Sequence, residues 1–426
     1  MKDKTKTPER LQMDMSSTKE KKVVSRKKFE EIKKQQRRRK RITCTVLGVL
    51  ALLLILVLGY TLGIYEKMLD AMGIKRDISV TPTLTTIEYA PRGEYVIGAV
   101  ADSIILCDEN GVTGLDRDGV WKWNVHCTIE NPLMRCEESF VLLSEYGGKC
   151  VWAFDGNGQR FRYDSELPII GAFAGDSGET LMVLCKQSEF ETSATYLTCK
   201  DGLLQEVFTR KFGTYHMIAG AQSQNPDFLA LSGVYSSGGA MTGAVVFMRT
   251  RDGEVISTAV TEGQVYPILT YLNKDTVFAV NGESLRLLRK AGTATSDKDI
   301  DKELWSAGGG RLAIADAVCV NGKYCVVAYR EENVEESSRT ISSLIYYNSA
   351  GKEKHRVEVD GRIEHVLSFG NTVLVYTENC VYMYNETGNY IGTQEFSSKI
   401  RTVSYLDDRT AMVACQDGLY RVSFEG

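Results

Sequence analysis

Thr402 to Phe424 reads TVSYLDDRTAMVACQDGLYRVSF. Three apolar runs, Thr402–Leu406, Ala411–Cys415 and Leu419–Phe424, alternate with the polar corners Asp407-Asp408-Arg409 and Gln416-Asp417-Gly418. Short β-branched and aromatic runs bounded by Asp and Gly are strand and turn signals. Three strands followed by the last residue of the chain leave an open edge, which invites pairing with another chain. The same body begins with Leu84 to Ala90, LTTIEYA, a run of strand-forming residues with no partner of its own. Joining the two ends makes a fourth strand and closes the fold on itself.

Between those ends the four-strand unit recurs. The first unit holds Tyr95–Val100, Ser103–Cys107, Val112–Leu115 and Val120–His126, and the others run Pro132–Ser165, Ile169–Lys211, Met217–Val260, Val265–Ala307, Ile314–Asp360 and Ile363–Ser397. Each has a corner before its last strand: Asp116-Arg117-Asp118-Gly119, Asp155-Gly156-Asn157-Gly158, Lys200-Asp201-Gly202, Arg251-Asp252-Gly253, Arg289-Lys290-Ala291-Gly292, Asn348-Ser349-Ala350-Gly351 and Asn385-Glu386-Thr387-Gly388. Gly and Asn recur there because tight hairpin corners need φ > 0. Units of this length cannot bury both faces alone and stack around an axis. The expectation is an all-β, eight-bladed β-propeller, with seven blades as the alternative count.

The stretch Gly114-Leu115-Asp116-Arg117-Asp118-Gly119-Val120-Trp121-Lys122-Trp123 resembles the repeat of quinoprotein-like propellers, in which an Asp/Gly turn leads into an apolar–Trp pair. Trp152-Ala153-Phe154-Asp155-Gly156-Asn157-Gly158-Gln159 is a looser version. The layout also resembles a bacterial membrane-anchored propeller family of unknown function. These resemblances imply an eight-bladed fold and an envelope location, and no reaction. The chain departs from the quinone-using members: it has four Trp in all, and only Trp305 follows Trp152.

N-terminal to this body, Ile42 to Tyr65 gives 24 residues without a charge. At 1.5 Å per residue such a run crosses a hydrocarbon core of about 30 Å. It is too long for the apolar region of a cleaved signal, and Gly63-Ile64-Tyr65 offers no small-residue cleavage site. Residues 1–41 carry 17 Lys+Arg against 6 Asp+Glu, whereas residues 66–426 carry 34 against 49. Arg37-Arg38-Arg39-Lys40-Arg41 abuts the apolar run, and such blocks stay cytoplasmic. The expected division is a basic cytoplasmic tail (1–41), a spanning helix (42–65), a tether (66–82) and an extracytoplasmic propeller (83–426). The tail faces anionic lipid. With Phe29 as its one stacking aromatic, it gives no reason to expect nucleic acid.

Reactive chemistry is sparse. His126, His216, His355 and His365 show no metal-ligand spacing, and His355 and His365 read as single surface or packing residues. No nucleophile elbow, phosphate loop or Cys-x-x-Cys occurs, and neither a metal nor a cofactor is expected. Ten cysteines follow the apolar run, mostly within strand runs where a thiol packs as a small hydrophobe, with one or two bridges left open.

The functional expectation rests on loops. Three connections between second and third strands look extended: Lys186–Ala194, Tyr235–Gly243 and Arg330–Thr340. They emerge on one face, and loops carry function. The candidate partner-binding residues are Glu189, Phe190, Glu191, Tyr235, Met241, Glu331, Glu332, Glu335 and Glu336. The reading is a non-enzymatic binding or scaffolding module of the cell envelope, with a protein or wall polymer as partner. A sensor relaying ligand binding through the membrane helix, and a quinoprotein-like enzyme, are the alternatives.

Overall fold

The structure, a computed structural model, describes residues 79–425 except 90, 92, 101, 138, 176–178, 189–190, 224–226, 238, 290–300, 308–311 and 332–339. The basic tail, the apolar run 42–65 and most of the tether lie outside the described residues, as do Glu189, Phe190, Glu332, Glu335 and Glu336.

Eight four-stranded antiparallel sheets form an eight-bladed β-propeller. Blade 1 runs from strand Val96–Val100 to Trp121–Val125, blade 2 from Pro132–Cys136 to Gly158–Asp164, and blade 3 from Ile169–Ala174 to Leu203–Phe212. Blade 4 runs from His216–Gln222 to Val255–Glu262, and blade 5 from Ile268–Asn273 to Asp301–Ser306. Blade 6 spans Leu312–Val320 to Glu353–Asp360, and blade 7 His365–Phe369 to Tyr390–Glu395. First strands of neighbouring blades touch, so each blade's first strand lies innermost and its fourth lies at the rim.

Burial follows from that order. Second and third strands are covered on both faces by adjacent blades and read as continuous apolar runs; Thr372–Tyr376 and Thr410–Cys415 are buried at every position. Rim strands are covered less, and Leu203–Phe212 and Glu353–Asp360 are mostly exposed or half-buried. The alternation of exposed and covered residues is strongest in the outer strands.

The chain ends close the ring. Blade 8 consists of Ile400–Tyr405, Thr410–Cys415, Leu419–Ser423 and, at its rim, Thr83–Ile87. Thr83 pairs with Ser423 and Ile87 with Leu419, in antiparallel register throughout. The closing strand is shorter than the reading Leu84–Ala90: Glu88 and Tyr89 leave the ladder as the chain approaches Pro91. Ile87, Ile97, Ile104, Leu106, Leu115, Leu406, Met412 and Leu419 pack in one core across the junction of blades 8 and 1. Polar groups reinforce it. Ser404 Oγ accepts from the Ala99 amide at 2.9 Å, Arg421 Nη1 donates to the Arg117 carbonyl at 2.8 Å, and Arg117 Nη2 meets Asp407 Oδ2 at 3.2 Å.

The recurrent corners have a second role besides turning the chain. At four of them the glycine is the seat for a side chain from the rim strand of the preceding blade. Ile87 of blade 8 lies over Gly119 of blade 1 and Leu304 of blade 5 over Gly351 of blade 6, with no room for a Cβ at either glycine. Phe208 of blade 3 likewise covers Gly253, and Val357 of blade 6 covers Gly388. Gly119 and Gly351 also have φ of 87° and 68°, so two independent constraints fix glycine there. Blade 8 has no such corner, because its third and fourth strands are opposite ends of the chain. The ends substitute for it: the Val80 amide donates to Ile391 O of blade 7 at 2.8 Å, and the buried Phe424 ring packs at Gly392. The end of the segment read as a tether is therefore seated on the propeller.

Candidate functional site

Because each blade meanders, connections between second and third strands emerge on the same face as the crossings from one blade to the next. Call it the loop face. Blade 2 presents Tyr146 and Leu133 there, blade 4 Met241, and blade 6 Leu312 and Ile341, all exposed. Tyr146 and Met241 each keep 65% of their surface open.

Of the candidate residues, Glu191, Tyr235, Met241 and Glu331 are described, and all four lie on this face. Glu191 stands beside Gly213 at the boundary of blades 3 and 4. Its loop is tighter than expected: Lys186 already pairs with Thr192, which leaves only residues 187–191 outside the ladder. The stretch Tyr235–Gly243 is not a loose loop. Strands Phe228–Ser237 and Ala240–Arg249 pair to their ends, Ser237 against Ala240. Polar and glycine-rich residues suggest a loop in isolation, but ten paired positions hold them in a hairpin. The root of that hairpin is aromatic: Tyr235 meets Tyr215 edge-on at 5.0 Å, and Tyr215 meets Phe212 at 6.4 Å. Glu331 ends the second strand of blade 6, separated from this group by blade 5.

A second cluster on the loop face joins blades 6 and 7. A register shift between Ile314 and Asp316 in the inner strand of blade 6 positions the Asp316 carboxylate. Its Oδ1 accepts from the Ala317 amide at 2.8 Å, and Oδ2 accepts from the Val366 amide at 3.1 Å and meets His365 Nδ1 at 3.2 Å. The ring of His365 rests 5.7 Å from that of Tyr376. Arg330 lies beside it, donating to Ile363 O at 3.3 Å and 3.7 Å from Glu364. With Nδ1–H held by Asp316, the imidazole lone pair sits on Nε2. Among the described residues no hydroxyl or thiol hydrogen-bonds His365, so the cluster can bind or take up a proton but has no nucleophile assembled on it. His355, in contrast, packs edge-on against Tyr324 and Tyr346, as expected of a packing residue. The His365–Asp316 pair was missed in the sequence because its members lie 49 residues apart and meet only through the blade 6–7 contact.

The bond to Asp316 raises the His365 pKa, and partial burial opposes that shift. A folded-state pKa above the unfolded value of about 6.5 gives stability that is complete below that pH and fades as pH rises through the folded value. Wild type is expected to exceed His365→Gln in melting temperature at pH 5.5, with the gap shrinking at pH 8.5. The side chain is 59% exposed, so the difference stays below about 1 kcal/mol. An unchanged gap across that range would remove the ionic role of the pair.

Among the described residues no group of His, Cys, Asp and Glu is placed to hold a metal ion. All ten cysteines of the propeller are free thiols; Cys107, Cys185, Cys199, Cys325 and Cys415 are buried.

Solved structures with similar folds are propellers. The Dos1 propeller superposes with a TM-score of 0.53 at 12% identity, covering 80% of this chain and 95% of that one. BamB from Moraxella catarrhalis gives 0.46 at 12% identity over 80% of this chain and 99% of that one. The WD40 domain of SCAP from fission yeast gives 0.48 at 10% over 81% and 98%. At these identities the likeness is one of fold. No curated protein matches the sequence. A family model matches residues 83–423, from the first residue of the closing strand to the last strand residue of blade 8. The chain belongs to DUF5711, a family of unknown function.

Proposed function

We propose that this chain is a membrane-anchored, extracytoplasmic, non-enzymatic propeller that binds a protein or cell-wall polymer through its loop face. The carrying observation is that Tyr146, Leu133, Met241, Leu312 and Ile341, from blades 2, 4 and 6, stand exposed on that face. Exposed apolar groups within a polar surround favour association. Glu191 and Glu331 add negative charge on the same face, which suits a cationic partner. Anchoring and orientation rest on the uncharged run 42–65 and the basic block before it. In this reading residues 1–41 are cytoplasmic, 42–65 span the membrane, 66–82 tether and 83–426 lie outside the cell membrane.

Photo-crosslinking amino acids at Met241 and Tyr146 test the face, with Asp118 and Ser349, at corners on the opposite face, as controls. The same partner is expected from both loop-face positions in living cells and from neither control. Crosslinking from the corners alone would place binding on the wrong face. Location is tested on intact spheroplasts, where added protease should degrade the propeller and spare the tail. Protection of the propeller would reverse the topology.

A further inference from the structure

Register brings two of the propeller's cysteines face to face. In blade 6, the inner strand Leu312–Val320 turns through Asn321 and Gly322, at φ of 48° and 62°, into Tyr324–Glu331. The ladder then sets Cys319 directly opposite Cys325. Other strand cysteines face different chemistry: Cys107 faces Val112, Cys150 faces Asp164, Cys380 faces Glu395 and Cys415 faces Ile400. Directly opposed residues on antiparallel strands have Cα atoms about 4.5 or 5.5 Å apart, inside the span of about 4.4–6.8 Å that a disulfide bridges. The two thiols are near enough to interact electrostatically. Cys325 is fully buried between blades 5 and 6, whereas Cys319 is partly open beside the turn.

We propose that Cys319 and Cys325 form a redox-convertible dithiol–disulfide site, closed by a small thiol–disulfide oxidant. Cys319, the reachable sulfur, attacks one sulfur of the oxidant, breaking its S–S bond and releasing one reduced thiol. Cys325 then attacks Cys319 Sγ in the mixed disulfide and displaces the second. One S–S bond breaks and one forms. The protein pair loses two electrons, the oxidant gains them, and the two protein thiol protons leave with the two reduced thiols. Burial raises the Cys325 thiol pKa, which makes it a poor first attacker and leaves it the resolving role. Closure makes a covalent ring of residues 319–325 around the Asn321-Gly322 turn. It pins the inner hairpin of blade 6 at the end opposite Arg330 and Glu331.

The full chain, solubilised in detergent and folded, is incubated with oxidised glutathione, blocked with N-ethylmaleimide in denaturant and digested with trypsin. Cleavage after Lys323 separates the two cysteines into LAIADAVCVNGK and YCVVAYR. The expected product is these two peptides joined, two hydrogens lighter than their sum, and returned to separate maleimide adducts by prior dithiothreitol. Cys319→Ser should leave YCVVAYR fully alkylated after the same oxidation. Both peptides alkylated in the oxidised wild type would overturn the proposal. So would glutathione retained on Cys319, or a bridge from either cysteine to a third.

Discussion

Deleting Thr83–Ile87 is expected to leave a chain that no longer folds to a closed ring. The deletion removes all five partners on the outer side of Leu419–Ser423, which stays paired with Thr410–Ala414, and exposes that strand as an edge. It also empties the position of Ile87, which is 3% exposed and lies over Gly119 at the corner of blade 1. Ile87→Ala alone should cost about 2–4 kcal/mol, the usual range for truncating a buried aliphatic side chain. The full deletion adds lost backbone pairing and an open junction between blades 8 and 1. Together these approach the whole stability of about 5–15 kcal/mol expected of a folded domain. Expression as aggregate, or a soluble species with a broad low-temperature melt, is the expected result by size-exclusion chromatography and circular dichroism. A synthetic peptide carrying the closing strand should recover part of the lost melting temperature by pairing with the vacated edge. A deletion variant that melts like wild type would mean that the first seven blades and a three-stranded eighth suffice, and that the family boundary at residue 83 has another cause.

The closure was legible because its signal is local at both ends: three strands at one terminus, one unpartnered strand at the other. So were the eight repeats, since corners such as Asp116-Arg117-Asp118-Gly119 state their need for positive φ in composition. The seating role of those same glycines was not legible. Leu304 and Gly351 are 47 residues apart in different blades, and nothing in either segment names the other. The same holds for His365 and Asp316, whose meeting depends on blade order and on a register shift. Tyr235–Gly243 was misread for a different reason. Its Ser and Gly residues have poor strand propensity, but pairing along the long hairpin overrides propensity. The opposed thiols were not legible either: a two-residue Asn321-Gly322 turn would set Cys319 against Tyr324, and it is the three-residue connection 321–323 that sets it against Cys325.

Trp121 and Trp123 divide the same stretch into a dispensable and a structural half. Residues two apart on a strand point the same way when the strand is regular. Here the register shifts between Gly114 and Leu115, so that Trp121 pairs with Leu115 and Trp123 with Gly114. Trp121 remains 62% exposed at the rim. The Trp123 indole instead covers Gly114, where no Cβ fits, and stacks on Phe154 of blade 2 with centroids 5.7 Å apart and planes 13° from parallel. Its Nε1–H donates to Gly156 O at the corner of blade 2 at 3.3 Å. Trp123→Ala is expected to destabilise by about 3 kcal/mol, combining lost apolar burial, the ring stack and an unpaired carbonyl. Trp121→Ala should stay within about 0.5 kcal/mol of wild type. Chemical denaturation followed by circular dichroism separates the two. Equal effects would show that the pair acts only as rim surface, and that blade 1 is held to blade 2 by the aliphatic core of Val100, Ile105, Val141 and Leu143 without the indole. The expected inequality would make the Gly114–Trp123–Gly156 chain the aromatic form of the contact that Leu304 and Gly351 make with an aliphatic side chain. The rim strand would then dock on the next blade's corner through an indole in blade 1, a phenyl ring in blade 3 and an aliphatic side chain in blades 5, 6 and 8.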